Sequence, residues 1–215
     1  MTNEMMLSKL MNITPECGVS YQNYIALVEM LKADIRDENN KKAGRANNAK
    51  LAKAIIKTGL SHNKYMDPKN NQMAYCKIID GVQYFLDGYR IAGFFNHMDF
   101  PEWELDWYKV DNMINSIEYE DTPLNIPNVA DLKAAIKIAK ASKRRSLYTF
   151  ENGICVNSQY LLDFVSGFNS PVFYPSHQNP QKAPIYIESP DGIGILLPVF
   201  SPSTTEVGFH EDARI

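Results

Sequence analysis

The chain has 215 residues, of which 45% are hydrophobic and 22% charged, and its formal net charge at pH 7 is −3. This length allows one large domain or two small ones with a substantial core, and the composition is typical of a soluble globular protein. No stretch approaches the roughly 18 consecutive apolar residues of a membrane-spanning helix, and the N-terminus lacks the apolar segment of a signal peptide. Composition therefore argues against a membrane protein.

The three cysteines, Cys17, Cys76 and Cys155, lie far apart and form no Cys-x-x-Cys pair. An odd number, with two of the three inside apolar strand patterns, predicts reduced and buried thiols. We therefore expect a cytoplasmic protein that makes no membrane contact.

The first 44 residues predict a helical N-terminal extension. Residues 1–13 are rich in Met and Asn, and we expect them to be loosely ordered. Thr14 and Pro15 favour a helix start. From residue 20 to 37 apolar side chains recur at helical spacing, which predicts an amphipathic helix. The predicted buried face consists of Tyr24, Ile25, Leu27, Val28, Leu31 and Ile35.

A polar, basic linker is predicted from Lys41 to Asn48, followed by a second helix over about 48–58 that ends before Gly59. Residues 73–95 then contain two Asp-Gly pairs, Asp80-Gly81 and Asp87-Gly88, between apolar and β-branched runs. Asp-Gly supplies the two positive-φ positions of a type I′ turn. The pattern predicts a three-stranded antiparallel meander.

The middle of the chain is acidic and aromatic. Between residues 99 and 121 one base, Lys109, accompanies eight acids: Asp99, Glu102, Glu104, Asp106, Asp111, Glu118, Glu120 and Asp121. We predict a helical insertion over about 98–127, with one short helix near 102–116. Trp103 and Trp107 are four residues apart, which places them on one helix face, as a core contact or as a partner-docking patch.

The last third of the chain predicts a helix over about 129–144 capped by Asn128, a hairpin over 148–156, and a helix over 159–166. Three strands follow over 172–174, 185–188 and 193–200. We expect residues 201–215 to form a frayed polar tail. Helices that alternate with antiparallel strands in this way indicate an α+β fold.

Particular residues resemble one family. Leu86-Asp87-Gly88-Tyr89-Arg90-Ile91-Ala92 resembles the Thr-Asp-Gly-His-Arg-Leu-Ala strand of the bacterial DNA polymerase sliding clamp (β subunit) superfamily. Residues 155–163 resemble the strand and helix that open a clamp's last half-unit, and residues 194–199 resemble its closing strand. The resemblance implies that residues 45–200 form one clamp-like domain of two helix-plus-strands half-units. A bacterial clamp subunit has three such domains, whereas this chain accounts for one.

Basic residues form stripes on two predicted helices. One consists of Lys50, Lys53 and Lys57, and the other of Lys133, Lys137, Lys140 and Arg144. Such stripes can follow phosphates without recognising bases, and the resemblance to clamps implies duplex DNA as the partner. The alternative is an ordinary solvated helix face, which the acidic middle neutralises within the fold or across an oligomer.

The resemblance also implies a groove for peptides of replication proteins, formed by Gly88, Tyr89, Arg90 and Ile91 together with Leu197, Pro198 and Val199. In clamps the two segments come from adjacent domains, so here we expect them to meet across a subunit contact or in a rearranged chain. The alternative places Tyr89 and Ile91 in the core and Arg90 outward.

We therefore predict a non-enzymatic, clamp-like homo-oligomer with a processivity or scaffolding role in DNA replication. The sequence predicts no catalytic residue, cofactor or bound metal, since the phosphate-loop, dinucleotide and Gly-x-Ser-x-Gly motifs are missing. One alternative is a protein-interaction module without DNA binding. Another is a metal-dependent hydrolase with ligands among His97, Asp99, Glu102, Glu104 and Asp106.

Overall fold

A computed structural model describes residues 2–12, 19–62, 75–102, 110–177, 184–199 and 206–212. The helices in these ranges are α1 (Asn3–Met11), α2 (Val19–Lys42), α3 (Ala46–His62), α4 (Val110–Asn115), α5 (Val129–Ala141) and α6 (Ser158–Gly167). The strands are β1 (Tyr75–Ile79), β2 (Val82–Leu86), β3 (Arg90–Phe94), β4 (Arg145–Thr149), β5 (Cys155–Asn157), β6 (Val172–Pro175), β7 (Ile185–Ser189), β8 (Gly192–Leu196) and β9 (Gly208–Asp212). The α+β class predicted from the sequence is confirmed. None of the helices in these ranges combines the length and apolarity that crossing a membrane requires.

Six strands form one antiparallel sheet in the order β1-β2-β3-β8-β7-β6. Each half consists of three consecutive strands that follow a helix, α3 in the first half and α6 in the second. The halves join through their last strands, with Arg90 opposite Leu196 and Phe94 opposite Gly192. The order is therefore symmetric about the β3–β8 pair, and the predicted meander of β1 to β3 is confirmed.

The two faces of the sheet are covered by different parts of the chain. Phe85 belongs to the core that also contains Leu51 of α3 and Phe164 of α6. Its strand neighbour Leu86 belongs to a separate cluster with Val110 of α4. Because successive strand residues point to opposite faces, α3 and α6 cover one face and α4 covers part of the other.

In the described residues the acidic middle contains one short helix, α4, which lies inside the predicted range of about 102–116. Trp103 and Trp107 lie outside the described residues. Further along, Glu120 N donates to Pro175 O and Leu124 N donates to Phe173 O. This segment therefore donates hydrogen bonds to backbone carbonyls at the outer edge of β6. An extended segment can run beside the strand in this way, whereas a helix cannot.

The C-terminal segment is not frayed throughout, contrary to prediction. Residues 208–212 form β9, which pairs with β4, and β4 also carries the predicted hairpin partner β5. An ion pair of 2.6 Å between Arg145 and Asp212 joins the two strands. The polar sequence of β9 shows no strand pattern, so only its pairing with the open edge of β4 makes it a strand.

Helix α1 occupies Asn3–Met11, within the segment that was expected to be loosely ordered. The Thr2 hydroxyl accepts from Met5 N at the start of α1, and the Tyr24 hydroxyl of α2 donates to Leu10 O. Side-chain capping and the contact to a second helix favour a helix in this short segment. Thr14 and Pro15 lie outside the described residues.

Helix α2 continues to Lys42, so the predicted linker shortens to residues 43–45, in which Gly44 has φ 72°. Val28 and Leu31 are buried, but Ile25 and Leu27 are more than 40% exposed. The predicted apolar face is therefore wider than the surface that α2 buries. Helix α3 likewise runs through Gly59, the predicted end.

The two Asp-Gly turns differ. Asp80 and Gly81 both have positive φ, as a type I′ turn requires. In the second turn only Gly88 has positive φ, and Asp87 N donates to Arg90 O at 3.2 Å. Gly88 and Tyr89 are therefore the central pair, the pattern of a type II′ turn with Gly first. This shift by one residue turns the Asp87 side chain toward Arg90.

Close packing of α3 against α6 depends on Gly167, where an added Cβ would lie 2.5 Å from Leu51 Cβ. We expect Gly167→Ala to lower the free energy of unfolding by about 1–3 kcal/mol, although Ala is the better helix former by about 1 kcal/mol. Urea denaturation followed by circular dichroism measures the change. The neighbouring, exposed Ser166→Ala is the control and should be neutral or slightly stabilising. Stabilisation by both substitutions would contradict the packing argument.

Candidate functional site

Helix α5 presents lysines to solvent because its other face is committed to the core. Leu132, Ile136 and Ala139 are buried, and α5 packs against α6. Lys133, Lys137 and Lys140 are consequently exposed. In the described part of the chain Lys133 and Lys137 form no ion pair, whereas Lys140 Nζ lies 3.3 Å from Gln159 Oε1.

Arg144 lies beyond the helix, since α5 ends at Ala141 where 144 was predicted. A positive φ at Lys143 reverses the chain, and Arg144 N donates to Ala139 O. The Arg144 guanidinium lies 3.5 Å from the Glu211 carboxylate of β9, and both side chains are partly exposed. Arg144 therefore lies beside the lysine stripe, but its charge is partly neutralised by the Glu211 carboxylate.

The stripe on α3 is interrupted. Lys50 and Lys57 are exposed and without ion pairs in the described ranges, but Lys53 pairs with Asp37 of α2. The sequence did not predict this pair, because α2 and α3 are joined by a tight turn that only the tertiary structure orients. Helix α6 packs against both α3 and α5. The one charged residue of α6 is Asp163. The two helices that carry the basic stripes therefore both pack against a helix without basic residues.

Arg90 is buried. This contradicts both interpretations of the sequence, which placed its side chain in a peptide groove or outward in solvent. Its side chain is fully enclosed, so it can neither project into solvent nor contact a docked peptide directly. Its Nε lies 2.8 Å from Asp87 Oδ2, and its Nη1 lies 2.6 Å from Asp163 Oδ2. The Nη2 group donates to Thr58 Oγ1 at 3.0 Å and to Ala54 O at 3.3 Å. The guanidinium also lies over the Tyr160 ring, 4.1 Å from its centroid.

The charges in this cluster compensate one another. Burial raises the pKa of the Asp87 carboxyl, while Arg90 and the backbone N–H groups of Tyr89 and Arg90 oppose the shift. Burial also raises the pKa of the Tyr160 hydroxyl to about 12, with a further contribution from the Asp87 charge. Each of the three guanidinium nitrogens bonds to a protein group, and the side chain is fully enclosed, so a ligand cannot reach it. We therefore assign Arg90 a structural role.

The remaining residues of the predicted peptide groove meet within one chain. Leu197 N donates to Tyr89 O at 3.0 Å, extending the β3–β8 pairing. A concavity of about 80 Å³ is lined by Leu86, Gly88, Tyr89, Arg90, Ile91, Met113, Ile195 and Leu197. The two segments therefore meet without a subunit contact, because the two half-units are neighbours in one sheet. Pro198 and Val199 do not line the concavity, and Val199 N donates to Cys155 O.

The predicted hydrolase ligands do not assemble in the part of the molecule that is described. No group of three or more His, Cys, Asp or Glu side chains there has metal-binding geometry. His97 Nε2 lies 2.9 Å from Gly81 O, and Glu104 and Asp106 lie outside the described residues. Cys76 and Cys155 are buried free thiols, and burial raises the pKa of Cys76 to about 12, which disfavours a nucleophilic thiolate.

Sequence reasoning missed Met113 and the partners of Arg90. Met113 comes from α4 and lines the concavity, while Thr58 and Asp163 come from α3 and α6. A polar residue on the buried side of a predicted helix, such as Asp163 after Leu161 and Leu162, was the one available indication.

Comparisons with family models, curated proteins and solved structures find no match. The clamp resemblance therefore depends on the short motifs alone and stays a prediction.

The Arg90 cluster is testable through stability. We expect Arg90→Ala to lower the free energy of unfolding by about 3–5 kcal/mol, because Asp87 would remain buried without a counter-charge. Arg90→Lys should recover only part of the loss, since an ammonium cannot reproduce the planar fork. Urea denaturation measures both, with the exposed Arg144→Ala as control. A loss for Arg90→Ala no larger than for Arg144→Ala would contradict the role.

Proposed function

We propose that this protein binds duplex DNA without sequence preference, through the exposed lysines of α5, in a clamp-like processivity or scaffolding role. The observation that carries the proposal is the position of Lys133, Lys137 and Lys140 on the solvent face of a helix anchored by its opposite face. Lys133 and Lys137 are not neutralised by any acid in the described ranges. Such lysines are available for phosphates.

The geometry favours contact with the backbone over base recognition. The outward residues of α5 are lysines, flexible point charges that suit phosphate oxygens, and they lack the planar fork with which arginine recognises base edges. Lys50 and Lys57 of α3 would extend the surface across α6. The chain has a net charge of −3, so its overall charge does not attract DNA. Binding therefore depends on the local concentration of lysines on one surface.

A role in encircling DNA would require several copies, because one domain cannot close around a duplex. We propose a homo-oligomer for that version. Sedimentation of the purified protein tests it, and a strict monomer would restrict the proposal to one-sided binding.

We expect Lys133→Glu/Lys137→Glu to weaken binding to a fluorescein-labelled duplex, measured by anisotropy, by at least about tenfold. The slope of log affinity against log salt should fall in magnitude by about 2, roughly 0.9 for each lost phosphate contact. The loss of two lysine–phosphate contacts explains both the weaker binding and the smaller salt dependence. Because both lysines are exposed, the variant should remain folded, and circular dichroism checks this.

Lys9→Glu/Lys32→Glu is the matched control, because it changes the net charge equally on α1 and α2. It should retain parental affinity. A parent protein that does not bind, or equal losses in both variants, would contradict a binding face on α5. Lys50→Glu/Lys57→Glu then shows whether α3 shares the surface.

A second candidate function is protein docking at the concavity beside Tyr89. It is favoured by the meeting of Gly88, Tyr89, Ile91 and Leu197 in one chain, with walls of mostly apolar side chains. A volume of about 80 Å³ admits a single small side chain. Met113, which is 38% exposed, borders the space and limits its size.

If the concavity receives an apolar side chain, Met113→Ala should enlarge it and tighten binding of N-acetyl-Leu-Phe-amide by about threefold or more. Titration followed by the backbone amide resonances of residues 88–91 and 197 measures this. The exposed Met30→Ala should leave the affinity unchanged. Resonance changes that are scattered elsewhere would exclude this site.

A further inference from the structure

A separate cleft lies between the acidic segment and the β4–β5 hairpin. Its volume is about 250 Å³. One wall is formed by residues 120–125, which run beside β6, and the other by Tyr148, Phe150 and the turn at Glu151 and Asn152. Typical small-molecule sites measure about 300–1,000 Å³, so this cleft suits a group of side-chain size.

The charge of the cleft has one sign. Glu120 and Glu151 contribute carboxylates from its two walls, and no base is among its lining residues. Neither carboxylate forms an ion pair within the described ranges. Burial and then the Glu151 charge raise the pKa of the Tyr148 hydroxyl, which indicates that this carboxylate lies near the aromatic wall.

The aromatic wall is held in place. The Tyr148 and Phe150 rings are 5.0 Å apart and almost perpendicular, and Tyr148 also contacts Phe209 of β9. Phe150 is 2% exposed and belongs to the main core. The hairpin turn is fixed too, because Asn152 Oδ1 accepts from Ile154 N at 3.2 Å. Packing against Phe150 and Phe209 therefore positions Tyr148 in the wall of the cleft, and Glu120 and Glu151 line its two sides.

We propose that this cleft binds an organic cation, the ammonium or guanidinium group of a lysine or arginine side chain or of a free polyamine. Carboxylates on two sides compensate the charge, and the solvent-accessible side chains of Tyr148, Pro123 and Leu124 accept the alkyl stem. A metal ion fits less well, since the cleft has two carboxylates and no group of three or more metal-binding side chains lies here among the described residues. The proposal is independent of DNA binding, which uses the opposite charge on α5.

Titration of the ¹⁵N-labelled full chain with N-acetyl-lysine methylamide tests the cleft. We expect saturable shifts of the amides of residues 120–122, 124, 125, 151 and 152, with a Kd on the order of 1 mM, as is typical of one small group. N-acetyl-norleucine methylamide keeps the stem but lacks the charge, and should bind at least about tenfold more weakly. Equal binding of the two would overturn the proposal.

Glu120→Gln/Glu151→Gln preserves shape and removes both charges, so it should weaken lysine binding at least about tenfold. Glu4→Gln/Glu29→Gln changes the net charge equally on α1 and α2 and should have no effect. Unchanged binding by the first variant, or shifts that do not saturate, would refute a built cation site. Tighter binding of spermidine than of a tri-lysine peptide would identify free polyamines as the ligand class, and the reverse order a basic protein segment.

Discussion

The buried guanidinium of Arg90 is the interaction on which the rest of the structure depends. It bonds to the β2–β3 turn through Asp87, to α3 through Thr58 and the Ala54 carbonyl, and to α6 through Asp163. These partners come from both half-units, since α3 precedes the first three strands of the six-stranded sheet and α6 precedes the last three. A charge in this position is tolerated only because each guanidinium nitrogen bonds to a protein group and two carboxylates compensate the charge, so the cluster fixes how the two halves meet.

That junction decides which surfaces face outward. Glycines allow the helices to approach: an added Cβ on Gly194 would lie 2.7 Å from the Phe164 ring, and one on Gly167 would contact Leu51. With α3 and α6 seated on one sheet face, α5 can pack on α6 and turn its lysines to solvent. The other face remains for α4, and the concavity beside Tyr89 lies there. The basic surface and the concavity therefore follow from the same packing.

Local chemistry made much of the fold predictable. The Asp80-Gly81 turn, the Asn128 cap and the apolar period of α5 are each decided by a few neighbouring residues, and the structure has all three. The cleft between the acidic segment and the β4–β5 hairpin and the Arg90 partners were not predictable in this way. Asp163 and Thr58 are 73 and 32 residues from Arg90 along the chain, and nothing in their local sequence indicates a shared partner.

By itself the sequence determined the α+β class, the meander, the helices other than α1 (although not their ends) and the outward lysines of α5, because turn residues and apolar spacing act over a few positions. Only the tertiary structure decided that Arg90 is buried, that the residues around Tyr89 and Leu197 meet in one chain, and that β9 is a strand. Each of these depends on partners distant in sequence. Burial of a charge and pairing of a polar strand are favourable only when those partners are already in place.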